Sequence, residues 1–220
     1  MFDTEATRLR QLLLGLGDVS PLLNLGSSTR AFREVTKPHI ETELFGPLRD
    51  AGVSVFHTDR KAGDGIDLAG DLLDPAMIRQ FRDKGFRCVL LSNVLEHVRD
   101  RDAVTAVCEE IVGPGGYVVA TVPSSCPYHA DPIDTYFRPS PQELAALFRR
   151  SRLLAGEEVA GRTFADDLRA RGATVPGELA RTALWALAAV VRPRSFAARA
   201  HRWFWYTRPR RVSIAVMQVG

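Results

Sequence analysis

Cysteine is scarce: the 220-residue chain has three, Cys88, Cys108 and Cys126. An odd number at wide spacing argues against a disulfide framework and suits reduced thiols, so a cytoplasmic protein is expected. The cysteines do not fall at the spacing of zinc ligands, and His39, His57 and His201 have no partner at such spacing either; no metal site is expected. Long apolar runs are missing as well. No stretch approaches the roughly 20 residues of a spanning helix, and the opening MFDTEATRLRQLLLGLGDV carries acids too early for a secretory signal. Neither an internal repeat nor a low-complexity tract occurs, which sets aside solenoid arrays and long disordered segments.

What is there is an ordinary globular composition, 45% apolar and 25% charged, at a length that fits one well-filled domain. Net charge is +3 but unevenly placed. From Arg181 to Arg211 there are eight arginines with no acid and no lysine, so the remainder of the chain sums to about −5. All three tryptophans, Trp185, Trp203 and Trp205, lie in the same stretch.

Asp3 or Thr4 can cap a first helix running through Leu9, Leu12 and Leu13 to Gly15. The apolar run Pro21–Leu25, stopping at Gly26, reads as a buried strand feeding a turn. A helix is expected from Lys37 to near Gly52, with Thr36 as cap and Pro38 in its first turn. Further strands are expected at Val53–Thr58, Ile66–Leu72, Cys88–Ser92, Tyr117–Val122, Leu153–Val159 and Val212–Val219, the fifth ended by Pro123. Helices are expected at Pro75–Lys84, Ala103–Ile111 and Pro141–Phe148. This alternation predicts an α/β fold: a doubly wound, mostly parallel, Rossmann-like sheet covered on both faces. The closing strands lack a crossover helix of the usual length, so an antiparallel edge strand near the C-terminus is expected.

In such a sheet ligands bind beyond the carboxyl ends of the strands, where the strand order reverses. Four segments end there with polar or glycine residues. In Asn24-Leu25-Gly26-Ser27-Ser28-Thr29, glycine permits a sharp turn and close ligand approach, although an ordinary strand-to-helix turn explains the same residues. Asp59 can accept two hydrogen bonds from a ribose diol, or can simply cap the loop at Lys61. Asp71 with Leu72 can take an adenine amino group and cover its ring, or Asp71 can cap the helix near Pro75, a job for which Asp74 is better placed. The fourth is Ser92-Asn93-Val94-Leu95-Glu96-His97-Val98, followed by a helix, Gly113-Pro114-Gly115-Gly116, a strand and Pro123. As a long ordered pattern it recurs by chance far less often than any of its pieces.

The stretch LLSNVLEHVRDRDAVTAVCEEIVGPGGYVVATVPSSCPYHADPID resembles the second half of class I S-adenosylmethionine-dependent methyltransferases of the type 11-like kind. Those proteins commonly read N-V-L-E-H-V, then a helix, L-x-P-G-G and a strand ending in V-P. The resemblance follows element order from Pro21 to Phe148. It implies S-adenosylmethionine as cofactor, with Asn24, Gly26, Ser27 and Ser28 beside its methionine part. It further implies Asp59 on the ribose, Asp71 and Leu72 on the adenine, and Ser92 and Asn93 bordering the methyl-donor pocket. Glu96 and His97 would shape the loop rather than act on substrate. The family's first motif usually holds two glycines, as in D-x-G-x-G, whereas this chain has Asn24 and Ser28 at the outer positions. That departure keeps open a non-catalytic, methyltransferase-like binding or scaffolding protein.

Methyl transfer to an oxygen or nitrogen needs alignment and, for a hydroxyl acceptor, a base. Candidate bases cluster in Tyr128-His129-Ala130-Asp131-Pro132-Ile133-Asp134, where His129 titrates in the right range and Asp134 can orient it; a satisfied, turn-rich loop is the alternative. The acceptor is expected to be a small molecule, by resemblance a sugar, a lipid-linked intermediate or a product of specialised metabolism. Residues 1–160 and 212–220 are expected to form the cofactor-binding domain, and 161–211 a basic, aromatic helical insertion. That insertion reads as a lid over substrate, a homodimer surface or a peripheral membrane contact through 181–211. Nucleic acid ranks last, because no nucleic-acid module is recognisable and the rest of the chain is acidic.

Overall fold

Four consecutive buried residues, Leu22–Leu25, form strand β1 near the middle of a sheet of seven strands, in a computed structural model that describes residues 1–127, 133–187, 196–197 and 200–220. The other strands are β2 (Val55–Asp59), β3 (Leu68–Ala69), β4 (Cys88–Ser92), β5 (Tyr117–Ser125), β6 (Ser151–Ala160) and β7 (Arg211–Val219). The helices are α1 (Asp3–Gly15), α2 (Gly46–Asp50), α3 (Pro75–Asp83), α4 (Arg101–Val112), α5 (Pro141–Ala145), α6 (Phe164–Ala170) and α7 (Val175–Leu187). Sheet order is β3-β2-β1-β4-β5-β7-β6, with the first five strands parallel and β7 antiparallel to both its neighbours. The mostly parallel α/β sheet and its antiparallel C-terminal strand agree with the sequence expectation. Because β6 is antiparallel to β7, it runs in the direction of β5. The carboxyl ends of β1 to β6 therefore share one edge.

β1 and β4 read as unbroken apolar runs because both sheet faces are covered. Alternate residues serve opposite faces. Leu23, Val89, Leu91, Val118 and Ala120 pack on α3 and α4 through Phe81, Val104 and Cys108. Leu22, Leu90, Val119 and Ile214 pack on α1 and on the segment before β2, through Ala6, Leu9, Leu44 and Phe45.

Several boundaries differ from the sequence reading. The helix expected from Lys37 to Gly52 is two π-helical turns, Phe32–Thr36 and Glu41–Phe45, followed by α2, and Thr36 ends the first turn instead of capping a helix. Each π turn closes with an i→i−5 bond, Lys37 N–H to Phe32 C=O (2.8 Å) and Gly46 N–H to Glu41 C=O, just before a proline. Pro38 and Pro47 have no N–H with which to continue a 3.6-residue ladder. The third strand shrinks from Ile66–Leu72 to two residues, because Asp67 turns its carboxylate to the His57 N–H (2.7 Å) and Asp71 starts a turn. β5 runs through Pro123, which is tolerated because β4 has already ended opposite Thr121 and the missing N–H has no ladder to break. Neither Asp3 nor Thr4 caps α1; the Glu5 carboxylate instead reaches back to the Phe2 N–H (3.0 Å). Asp74 does cap α3, accepting from the Ala76 N–H at 2.8 Å.

Candidate functional site

The turn after β1 lies on the shared carboxyl edge. Gly26 has φ +71°, and a Cβ there would sit 2.6 Å from Val94 Cγ2 on the facing turn after β4, so glycine is required by conformation and by space. Ser28, at the family's second glycine position, keeps the left-handed conformation with φ 54°. Its N–H donates to Asp59 Oδ2 at 2.8 Å, and the Ser27 N–H donates to the Thr58 carbonyl at 2.9 Å. The turn after β1 is thus stitched to the end of β2. Asp59 Oδ1 has only a long 3.5 Å contact with the Lys61 N–H, so it retains capacity for a hydroxyl donor.

Asn24 faces away from this turn: its Nδ2 donates to His57 Nδ1 at 3.0 Å inside the sheet. That places Asn24 behind the site rather than in it. Burial pushes His57 down to about 3, with the Arg33 and Arg49 guanidiniums adding to the effect. Arg33 itself was not singled out from the sequence. Its buried guanidinium donates to the carbonyls of Ser27 (3.2 Å), Ser28 (2.5 Å) and Gly65 (2.8 Å), locking the β1 turn to the loop after β2. Desolvation lowers its pKa.

Asp71 Oδ1 accepts from the Leu73 N–H at 3.0 Å, and Leu72 is half-buried against the α3 and α4 side of the core. Its carboxylate therefore starts a local turn, and the capping alternative belongs to Asp74.

At the end of β4 an unforeseen residue dominates. Glu5 of α1 is fully buried, and its Oε1 accepts from Thr121 Oγ1 (2.7 Å), Asn93 Nδ2 (2.9 Å) and Ser92 Oγ (3.2 Å). Asn93 holds φ 55° to present this amide. Ser92 and Asn93 thus share the Glu5 carboxyl as a hydrogen-bond partner. Next to them Glu96 is fully buried; among the described residues neither of its oxygens accepts a hydrogen bond, and Oε1 lies 3.7 Å from His97 Nε2. Burial pushes its pKa up to about 7, with Glu5 contributing in the same direction. His97 Nδ1–H donates to the Ile133 carbonyl at 2.5 Å, pinning the following loop.

Asp134 is buried and accepts from Arg138 (2.5 and 3.0 Å) and from the Tyr136 N–H (2.9 Å). His129 lies outside the described residues, as do Tyr128 and Asp131. Burial raises the Cys126 thiol pKa, which suits an idle thiol. The described residues contain no group of His, Cys, Asp or Glu able to hold a metal ion.

The segment between β6 and β7 leaves from the same edge. Phe164, Leu168 and Trp205 form a separate small core with Trp203 and Tyr206 packed on it. Two arginines that lack acids nearby in sequence find them in space, Arg210 with Asp167 (2.7 Å) and Arg211 with Glu158 (3.3 Å), while Arg181 faces Glu178 one turn earlier on α7 (3.6 Å). Arg202 and Arg208 lie over the rings of Phe164 and Phe204. Leu179 and Leu184 are 50% and 65% exposed on α7. A groove of about 710 Å³ runs along the opposite flank of α1 from Glu5, lined by Thr4, Thr7, Arg8, His39, Glu43 and Glu158. None of the sequence-predicted residues borders it.

No family model and no curated protein sequence matches the chain. Among solved structures it is similar to a SAM dependent methyltransferase from Archaeoglobus fulgidus, with TM-score 0.51 and 12% identity over 97% of this chain and 92% of that one. It is also similar to coclaurine N-methyltransferase bound to N-methylheliamine and SAH, with TM-score 0.56 and 13% identity over 98% and 70%. A third similar structure comes from work on the conversion of a disulfide bond into a thioacetal group during echinomycin biosynthesis, with TM-score 0.52 and 12% identity over 96% and 81%. The likeness is one of fold.

Proposed function

We propose, for a chain with the fold of class I S-adenosylmethionine-dependent methyltransferases, that it binds S-adenosylmethionine and transfers its methyl group to an oxygen or nitrogen of a small-molecule acceptor. The observation that carries the reading is the turn after β1. Gly26 and Ser28 both hold the left-handed conformation, and the Ser28 N–H anchors on Asp59, so the backbone form of a two-glycine turn persists without the second glycine. When bound, the cofactor supplies a methyl carbon already activated by a sulfonium.

In this reading the chain's residues align and shield. Gly26, Ser27 and Ser28 line the methionine part, with Arg33 holding their carbonyls in place. Asp59 takes the ribose diol through Oδ1, while Asp71 and Leu72 border the adenine. Ser92 and Asn93 flank the donor pocket. His129 accepts the proton of a hydroxyl acceptor, and Asp134, fixed by Arg138, steadies the loop that carries it. Asn24 supports the turn from behind through His57.

The test is calorimetric titration with S-adenosylmethionine and S-adenosylhomocysteine. Binding of neither at millimolar concentration overturns the reading, and binding without turnover on any acceptor favours a scaffolding role. One observation favours a membrane-borne acceptor within the same chemistry. The unit between β6 and β7 carries eleven arginines against three acids over residues 161–211 and exposes Leu179 and Leu184. No described helix is long and apolar enough to cross a membrane, so such contact is peripheral.

A further inference from the structure

Buried polar groups in folded proteins nearly always have a partner, and a carboxyl with neither oxygen satisfied calls for an explanation. Among the described residues Glu96 is such a group: neither oxygen accepts a hydrogen bond, and Oε1 lies 3.7 Å from His97 Nε2. It cannot easily swing out: its own carbonyl accepts from the Thr135 N–H and Oγ1 (both 2.9 Å), and Leu95 beside it is fully buried. A second carboxyl group, Glu5, stands close by and accepts from four donors, the Phe2 N–H, Ser92, Asn93 and Thr121. Ser92 and Asn93 are the residues that border the methyl donor in the proposed function. In that reading two acids lie beside the residues that border the donor's positively charged reacting centre.

Resting on that functional reading, we propose that Glu5 and Glu96 form an anionic cradle that makes the donor pocket select a cationic reacting centre, so that the chain binds S-adenosylmethionine more tightly than neutral-centred S-adenosylhomocysteine. Glu5 supplies a carboxyl group ringed by four donors, and Glu96, its pKa pushed up to about 7 by burial, ionises more readily when a cation compensates it. After transfer the sulfur is a neutral thioether, the cradle loses its counter-charge, and the product is released more readily. The groups acting on Glu96 are His97 on its own turn, Glu5 from α1, Arg138 from the loop before α5, the Met1 amino group and the Cys126 thiol. Arg138 is already paired with Asp134, which limits how far it can neutralise the cradle.

The experiment is calorimetry with three ligands, S-adenosylmethionine, S-adenosylhomocysteine and sinefungin, whose amine stands where the donor carries its methylsulfonium. At pH 8 the wild-type protein should bind the two cationic ligands at least tenfold more tightly than S-adenosylhomocysteine, a difference of about 1.4 kcal/mol. At pH 5.5, where Glu96 stays protonated, the preference should shrink. Glu96→Gln, which keeps shape and burial, should bring the ratio towards one at both pH values, with S-adenosylhomocysteine affinity nearly unchanged. Equal or tighter wild-type binding of S-adenosylhomocysteine, or an unchanged ratio in Glu96→Gln, overturns the inference while leaving the methyltransferase reading intact. Failure to bind any of the three ligands defeats both.

Discussion

The Ser28 N–H points at Asp59 Oδ2 across 2.8 Å, so one side chain both shapes the turn after β1 and stands where a ribose is expected. Asp59→Ala removes both roles. It should weaken S-adenosylhomocysteine binding by roughly 1.5–3 kcal/mol, the range for hydrogen bonds to a charged group. Asp59→Asn, which can still accept from Ser28 through its amide oxygen, should lose less. Unchanged calorimetric affinity in a folded Asp59→Ala protein would remove the residue from the site.

Arg33 is the clamp behind that turn. Arg33→Met leaves the carbonyls of Ser27, Ser28 and Gly65 without their donor. A loss of about 1–3 kcal/mol in urea unfolding is expected, as for buried acceptors left unsatisfied. Cofactor affinity should fall with it. A variant that loses stability and binds normally would reduce Arg33 to a packing role.

His57 gives the fold an acid-sensitive joint. In the unfolded chain it protonates near 6.5, whereas burial holds it neutral in the fold down to about 3. The unfolded state thus binds more protons between those values, and stability present above pH 6.5 is lost as pH falls. His57→Gln, whose amide oxygen can still accept from Asn24, should flatten the stability curve over that window by up to about 1.4 kcal/mol per pH unit. Parallel curves for the two proteins would show that His57 does not set the acid limit.

Turnover should depend on His129 once an acceptor is found. His129→Ala is expected to slow the reaction by about 10²–10⁴-fold with cofactor binding intact. A loss below tenfold would leave alignment of the two substrates as the main source of rate.

Co-sedimentation with vesicles tests the unit between β6 and β7. Binding should rise with anionic lipid content and collapse at high salt, each surface arginine contributing on the order of 1 kcal/mol. Leu184→Asp should weaken it without changing thermal stability, because that side chain is 65% exposed. Indifference of the wild-type protein to anionic vesicles at low salt would eliminate the membrane contact, and quenching of Trp203 and Trp205 with and without cofactor would then separate a lid from a dimer surface.

The strands that could be read from the sequence are the ones whose burial is local to their own residues. Leu22–Leu25 and Cys88–Ser92 are apolar runs that end at Gly26 and Asn93, and the sheet edge follows from those endings; Tyr117–Val122 was legible as a run, but its strand continues through Pro123 to Ser125. Asp59 and Gly26 were legible for the same reason, standing where a strand stops. Glu5 and Arg33 were not. Each looks like an ordinary charged residue on a helical segment, and its importance comes from partners up to 116 positions away, Thr121 for Glu5 and Gly65 for Arg33 among them. Charge bias misled in the same way: counting along 181–211 hides that Asp167 and Glu158 fold back onto Arg210 and Arg211, and that Glu178 stands one turn before Arg181.

β7 lies between β5 and β6, although the chain makes β6 first and then runs through the whole helical unit before returning. A hairpin usually closes over two to five residues, and closure entropy grows with each doubling of the loop by about 0.6 kcal/mol. Here the unit shortens its own detour: the Gly161 N–H donates to the Arg210 carbonyl at 2.7 Å, and Arg210 Nε returns to the Arg162 carbonyl at 2.9 Å, pinching the base of the excursion. The Phe164, Leu168 and Trp205 cluster then behaves as an oversized turn whose prior collapse sets how fast β6 and β7 can zip together. Damage to that cluster should therefore register as slow refolding of the C-terminal half of the sheet, well before it alters the chemistry at the opposite strands.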